Sequence, residues 1–163
     1  MSEPYQEILG GKTIVRPGPG VRHELICSRV HQAIRASVAN LAGTRLLDPR
    51  ARVQLALGTV VCPDLALVTV ATGKLWLAVE VVSSDDHRTD TVVKKEIYEQ
   101  WKLPRLWMVD PRYDNLEVYH SSEYGLRLHS ILAGSEVLVE KLLPEFQLTI
   151  SELFRATSPG GHS

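Results

Sequence analysis

Residues 60–68 read VVCPDLALV, residues 75–83 read LWLAVEVVS and residues 91–101 read TVVKKEIYEQW. Asp64 stands inside the first apolar run and Glu80 inside the second, and the lysine pair Lys94–Lys95 opens the third. Alternate residues of a strand share a face. Over 75–82 that rule puts Leu75, Leu77, Val79 and Val81 on one side and Trp76, Ala78, Glu80 and Val82 on the other. Glu80 is the single charge in that run, and an isolated buried carboxylate costs several kcal/mol, so it must be paired, protonated or bound to a cation. Leu75 to Val82 is apolar on both faces, which predicts a central strand. Val60 to Val68 reads as its neighbour, and Pro63, which lacks an N–H, predicts an edge or bulge there.

Thr72-Gly73-Lys74 carries turn chemistry and predicts a hairpin between these two strands. Asp64 and Glu80 are each eight residues from Thr72, so a symmetric hairpin brings them to the same height. Neighbouring strands lie about 4.8 Å apart, and two carboxylates that close repel unless a cation intervenes. A hard divalent ion, Mg²⁺ or Mn²⁺, suits such oxygen donors. The competing reading of Asp64 is a cap for the bend at Pro63.

Thr91 to Lys102 predicts a helix, with Asp90 as its N-cap and Pro104 as its stop. A helix after the third strand can fold back over the sheet and bring a lysine to the acids. Lys94 shares the face of Ile97 and Tyr98 by three-to-four spacing, whereas Lys95 is placed to pair with Glu99. Lys94 is therefore the preferred third member.

Outward from this centre, 5–15 reads as a short opening element broken at Gly10-Gly11, and Pro17-Gly18-Pro19-Gly20 forces a turn. Ile26, Val30, Ala33-Ile34, Ala36 to Val38 and Leu41 recur at helical spacing from Val21, with Gly43 as the stop. Val53, Leu55 and Leu57 alternate as a half-buried strand. Leu106 to Val109 predicts a short buried strand ended by Asp110-Pro111. Residues 116–119, 126–132 and 137–139 predict a meander, and Phe146, Leu148 and Ile150 alternate before a final helical turn through Phe154. Helix, strands, helix and more strands make an α+β or mixed-sheet domain.

A chain of 163 residues, 44% hydrophobic and 23% charged, can bury one real core. We expect a single domain over 1–156 and a flexible tail over 157–163. The net charge of −1 gives no bulk attraction to nucleic acid, so a role there needs a local basic face or bound metal. Cys27 and Cys62 form no disulfide framework and imply free thiols in a reducing cytoplasm. No run approaches the roughly 18 apolar residues of a membrane span, and no signal peptide is legible at the N-terminus.

Two acids and a lysine on a hairpin followed by a helix are the constellation of metal-dependent phosphodiester cleavage. Here the chain resembles the Uma-type restriction-endonuclease family, a branch of the PD-(D/E)xK nuclease superfamily. YQEILGGKTIVRPGPGVRHELI, PDLALV, VEVVSSDD, DTVVKKEIY, KLPRLWMVDP and LEVYH carry the resemblance, over roughly residues 5 to 155. It implies a restriction-endonuclease-like core, a mixed central sheet flanked by helices. It implies that Asp64 and Glu80 bind Mg²⁺ (or Mn²⁺), that Lys94 completes the catalytic set, and that DNA is the substrate. Val82 departs from the wider superfamily, which carries a lysine two residues after the second acid. In the Uma-type branch the lysine is similarly supplied from the following helix. His23 and Glu24 match the family's first helix start, and Lys95 is a further accessory candidate; a surface position for His23 is the competing reading.

Two alternatives stay open. The same fold could serve a non-catalytic nucleic-acid-binding or assembly protein, and Val82 and the missing basic excess favour that. An RNA-processing nuclease would have the same constellation. A homodimer is expected if both DNA strands are cut. His23, Cys27 and His31 share a helix face, but the set spans about 12 Å and cannot close on one zinc ion. Asp85 to Arg88 reads as a solvated loop. Arg16, Arg22, Arg29 and Arg35 read either as a basic face or as ordinary solvated charge.

Overall fold

A computed structural model describes residues 3–83 and 85–156. The expected tail over 157–163 lies outside the described residues. The chain begins with β1 (Tyr5–Leu9) and β2 (Lys12–Arg16), then α1 (Val21–Val38) and β3 (Thr44–Leu46). There follow β4 (Val53–Ala56), β5 (Thr59–Val61), β6 (Leu65–Thr69) and β7 (Leu75–Val81). A π-helical turn (Thr89–Lys94) runs directly into α2 (Lys95–Trp101). Then come β8 (Arg105–Asp110), β9 (Asn115–Ser122), β10 (Gly125–Ala133), β11 (Val137–Glu140), β12 (Leu143–Thr149) and α3 (Ile150–Phe154).

The main sheet has six strands in the order β10-β9-β8-β7-β6-β3. Its one parallel pair is β7–β8, joined through the π-turn and α2; the other pairs are antiparallel. This is the mixed α+β architecture the element order predicts. β7 is central, as its two apolar faces require. One face packs against Ile26, Val30 and Ile34 of α1, with Leu65, Leu67, Leu77, Val79 and Trp107. The opposite face packs Ala66, Ala78, Leu106 and Met108 against Tyr98 and Leu103. Burial on both sides makes the sheet a rigid wall between two helices.

Three expectations need correction. Residues 60–68 are two strands in two sheets: β5 belongs to the four-stranded sheet β2-β1-β5-β4 and β6 to the six-stranded one. Pro63 lies at the break, where a residue without an N–H cannot continue a ladder. The face assignment of β7 fails at its start, because the β6–β7 register shifts between Leu67 and Val68. Leu75 consequently joins the α2 face, and Trp76 turns the other way to donate its indole N–H to Thr44 Oγ1 at 2.7 Å. Finally, Asp90 is no N-cap. It lies inside the π-turn, buried, where its carboxylate accepts the Ser83 N–H at 2.9 Å and faces Arg16 at 2.8 Å. The opening element is a complete hairpin, β1–β2, with Gly10 and Gly11 both at positive φ as its turn.

Candidate active site

β7 carries Glu80 on the face toward α2, with 1% of the residue exposed. The π-turn delivers Lys94 to it, and the first turns of α2 deliver Tyr98. Lys94 Nζ lies 2.6 Å from Glu80 Oε2, and the Tyr98 O–H donates to the same oxygen at 2.5 Å. Both Lys94 and Tyr98 are wholly buried. π-Turns within helices occur often at functional sites, where the wider turn re-aims a side chain. Here the two inward residues of the turn are Asp90 and Lys94, and both enter the ionic cluster.

The second partner of Lys94 is Glu7, from β1, at 2.7 Å. Glu7 Oε2 also accepts the Cys62 N–H at 2.7 Å, and Oε1 accepts from Arg16 at 2.6 Å. Arg16 in turn meets Asp90, and Asp86 at 3.0 Å. A chain of alternating charges thus runs Glu80–Lys94–Glu7–Arg16–Asp90 through the interior. Such a network is stable only while every member is paired.

Asp64 sits in the bend before β6. The β6–β7 register pairs Leu65 with Val79, and continuing it by one residue sets Asp64 against Glu80, as the hairpin symmetry predicts. The two carboxylates nevertheless turn to different helices. Asp64 Oδ2 accepts the Val81 N–H at 2.8 Å and lies 3.5 Å from His23 Nε2 of α1, while Oδ1 accepts from Arg50 at 3.1 Å. Arg50 also holds Glu24, at 2.8 and 2.9 Å. Its backbone is left-handed, φ 56°, a conformation that costs a non-glycine residue about 1–2 kcal/mol. The strain places its guanidinium between Glu24 and Asp64.

The model of the family described as "Putative restriction endonuclease", Uma2, matches residues 2–151. The chain belongs to the Uma2 family. A crystal structure of a putative nuclease belonging to DUF820, from Anabaena variabilis ATCC 29413, has the same fold. Its TM-score is 0.77 at 20% identity, over 94% of this chain and 91% of that chain. No curated protein matches. Among the described residues no helix is long and apolar enough to cross a membrane.

With the Uma2 motifs in place, the electrostatics divide the acids by role. Burial pushes Glu80 up to about 8; Lys94 opposes this, while Asp64 and Glu7 reinforce it. Burial also pushes Asp64 upward, but His23, Lys94 and the Val81 N–H outweigh it and hold Asp64 below the usual range. Lys94 rises despite burial because Glu80, Glu7 and Asp90 surround it, so its ammonium stays charged. His23 also rises: burial pulls it down, and Asp64 and the Val81 carbonyl more than compensate. Two neighbouring carboxylates pushed in opposite directions by their surroundings make this cluster a candidate site.

The expected accessory residues part company here. His23 is no surface histidine: its side chain is 15% exposed and Nε2 lies 2.9 Å from the Val81 carbonyl. Glu24 belongs to the site through Arg50. Lys95 does not pair with Glu99; it lies over the Tyr119 ring, 4.5 Å from the centroid, and Glu99 accepts the Leu126 N–H instead. Nor do the four arginines make one basic face, since Arg16 is buried, Arg22 pairs with Asp114 and Arg29 donates to the Leu153 carbonyl. Sequence reasoning missed Glu7, Arg16 and Arg50. Glu7 did carry a signal: in YQEIL it shares a face with Tyr5 and Leu9, a lone acid in an apolar row like Glu80.

A cleft of about 510 Å³ opens beside this cluster. His23 and Val81 line it, with Arg22, Ser83, Pro111 and Arg112 around them. It lies beyond the carboxyl ends of the parallel strands β7 and β8, where open sheets commonly bind ligands. The donor set suits a hard divalent ion. Asp64, Glu80 and the Val81 carbonyl offer only oxygens, and each already attracts a cationic or N–H donor: Arg50, Lys94 and His23 respectively.

Proposed function

We propose that this chain is a Mg²⁺- or Mn²⁺-dependent endonuclease that hydrolyses DNA phosphodiester bonds. The observation that carries this reading is the buried Lys94–Glu80 contact, set across the β6–β7 register from Asp64, whose neighbour His23 lines a cleft. Asp64, Glu80 and the Val81 carbonyl would hold the ion. When bound, it supplies a Lewis acid and a water activated near neutral pH.

The chain's own residues do the rest. Lys94 and Tyr98 hold Glu80 Oε2 from two sides, which fixes the direction of the carboxylate. The Lys94 charge offsets part of the repulsion among Glu80, Glu7 and Asp64. Lys94 is wholly buried, so it acts through Glu80 and through its field on phosphoryl charge, not as a surface contact. His23 faces both Asp64 and the cleft, a position from which it can exchange a proton with water or a phosphate oxygen. Arg22 and Arg112 line the cleft but are paired with Asp114 and Asp110, so a phosphate backbone would have to take them from those carboxylates. Val82, where the wider superfamily has lysine, is packed in the core beside Tyr98, and Lys94 supplies the ammonium from the helix instead.

The test is cleavage of supercoiled plasmid with Mg²⁺ or Mn²⁺, alongside Asp64→Ala and Glu80→Ala. Loss in both variants is expected. Unchanged cleavage in both would overturn the assignment. Cutting both strands calls for two sites, so a homodimer belongs to this proposal, and sedimentation in the presence of DNA reads it.

A further inference from the structure

One set of donors at the site is not explained by hard-ion chemistry. An imidazole nitrogen of His23, Sγ of Cys27 and a carboxylate oxygen of Asp64 all lie within 4.8 Å of one another. His23 and Cys27 are one turn apart on α1, and Asp64 reaches them from the bend before β6. Asp64, a residue distant in sequence, completes the set, so the helix alone did not reveal it.

The tautomer of His23 settles which nitrogen is available. Nε2 lies 2.9 Å from the Val81 carbonyl, which can only accept, so Nε2 carries the proton. Neutral His23 therefore presents Nδ1 as a bare lone pair. Nδ1 faces Cys27 Sγ at 3.6 Å. Tetrahedral zinc with ordinary Zn–N and Zn–S lengths separates those two donors by about 3.5 Å. Metal-bound histidines commonly donate their other N–H to a carbonyl, the arrangement Val81 provides here. A metal between Sγ and Nδ1 would take the place of the hydrogen bond that the Cys27 thiol can donate to Nδ1.

We propose that His23, Cys27 and Asp64 form a site for a borderline-soft divalent ion of the zinc class, distinct from the hard-ion site and sharing Asp64 with it. Binding replaces the Cys27 S–H proton, which leaves to solvent, with a sulfur–metal bond; no oxidant or reductant is needed. His23 lines the cleft, which gives the ion a way in. Arg50 stays on Asp64 Oδ1 and Glu24, so the ion takes Oδ2, which now accepts the Val81 N–H and keeps a second lone pair. The consequence for catalysis rests on the proposed nuclease reading: an ion held on Asp64 by sulfur and nitrogen removes Asp64 and His23 from the hard-ion reaction, and the enzyme is inhibited.

The experiment uses the full chain, stripped with chelator and titrated with Zn²⁺, and with Co²⁺ as the spectroscopic probe. The expected result is one ion per chain and a thiolate-to-cobalt charge-transfer band. Cys27→Ser should abolish the band and weaken binding roughly tenfold or more, while Cys62→Ser leaves both unchanged. X-ray absorption on the unmodified chain with one equivalent of Zn²⁺ should show one sulfur at about 2.3 Å, and this reading does not depend on a variant folding. A first shell of nitrogen and oxygen alone overturns the proposal, as does a band that survives in Cys27→Ser. Glu80→Gln separates the two sites: Zn²⁺ binding should persist in it whether or not the hard-ion reading holds.

Discussion

Lys94 Nζ lies 2.6 Å from Glu80 Oε2, with neither residue more than 1% exposed. The contact joins the central strand to the π-turn, and its other side is closed by Glu7 from the first strand. A buried ion pair adds little net stability, but breaking one by removing a partner typically costs about 3–5 kcal/mol. That asymmetry drives the first predictions.

Lys94→Met leaves Glu80 without a counterion and Glu7 with Arg16 alone. We expect a loss of about 3–5 kcal/mol in urea unfolding, and loss of plasmid cleavage. Adding Glu80→Gln should recover part of the stability but none of the cleavage. The double-mutant cycle should report a coupling of about 0.5–3 kcal/mol. Strict additivity would show that the two side chains do not interact in solution.

Glu7→Gln keeps an acceptor for the Cys62 N–H but removes the charge shared by Arg16 and Lys94. A destabilisation of roughly 1–3 kcal/mol is expected, well above that of an exposed Glu→Gln change. Cleavage should fall as well, although Glu7 does not line the cleft, because Lys94 loses one of the two carboxylates that locate it. Full activity in a folded Glu7→Gln protein would show that Lys94 needs no second anchor.

Glu80 and Asp64 make opposite contributions to stability as pH changes. Glu80 is raised by burial to about 8, above its ordinary 4.5. Its contribution is therefore fully present below the unfolded value and lost as pH climbs through 8. Asp64 is lowered, so its contribution is present above the ordinary carboxylate range and lost as pH falls below it. Thermal melting in chelator should show stability declining from pH 5 toward the region of about 8, a trend that Glu80→Gln flattens. An unaltered pH trend in Glu80→Gln would assign the slope to another group.

The same proton governs the hard ion. Binding at Glu80 requires its carboxylate form, so Mn²⁺ affinity measured by calorimetry should rise with pH up to about 8. At an ion concentration of about one hundred times Kd, the fold should gain about 2.7 kcal/mol. Asp64→Asn and Glu80→Gln should each remove that gain. Stabilisation that persists in both variants would place the ion elsewhere.

Much of this site could be read along the chain because its first half is local. The β6–β7 hairpin has short-range symmetry, so counting residues about Thr72 was enough to set Asp64 opposite Glu80. The spacing from Tyr98 selected Lys94 over Lys95. The parts that escaped are non-local. β1 pairs with β5 at Ile8–Val60, and the Cys62 N–H just beyond holds Glu7, so a pairing of strands distant in sequence carries Glu7 to Lys94. Asp90 read as a helix cap because an acid before an apolar run usually is one; its tertiary partner Arg16 decided otherwise.

By itself, the sequence determined the mixed-sheet fold, the central position of β7, the height of Asp64 against Glu80 and the lysine of the following helix. All four follow from periodicity and turn chemistry, which act over a few residues. Only the tertiary structure decided that Asp64 turns to His23 and Cys27 while Glu80 turns to Lys94 and Tyr98. A carboxylate near a strand end can rotate toward either neighbouring helix, and the choice goes to whichever presents donors, a matter of packing that no local pattern encodes.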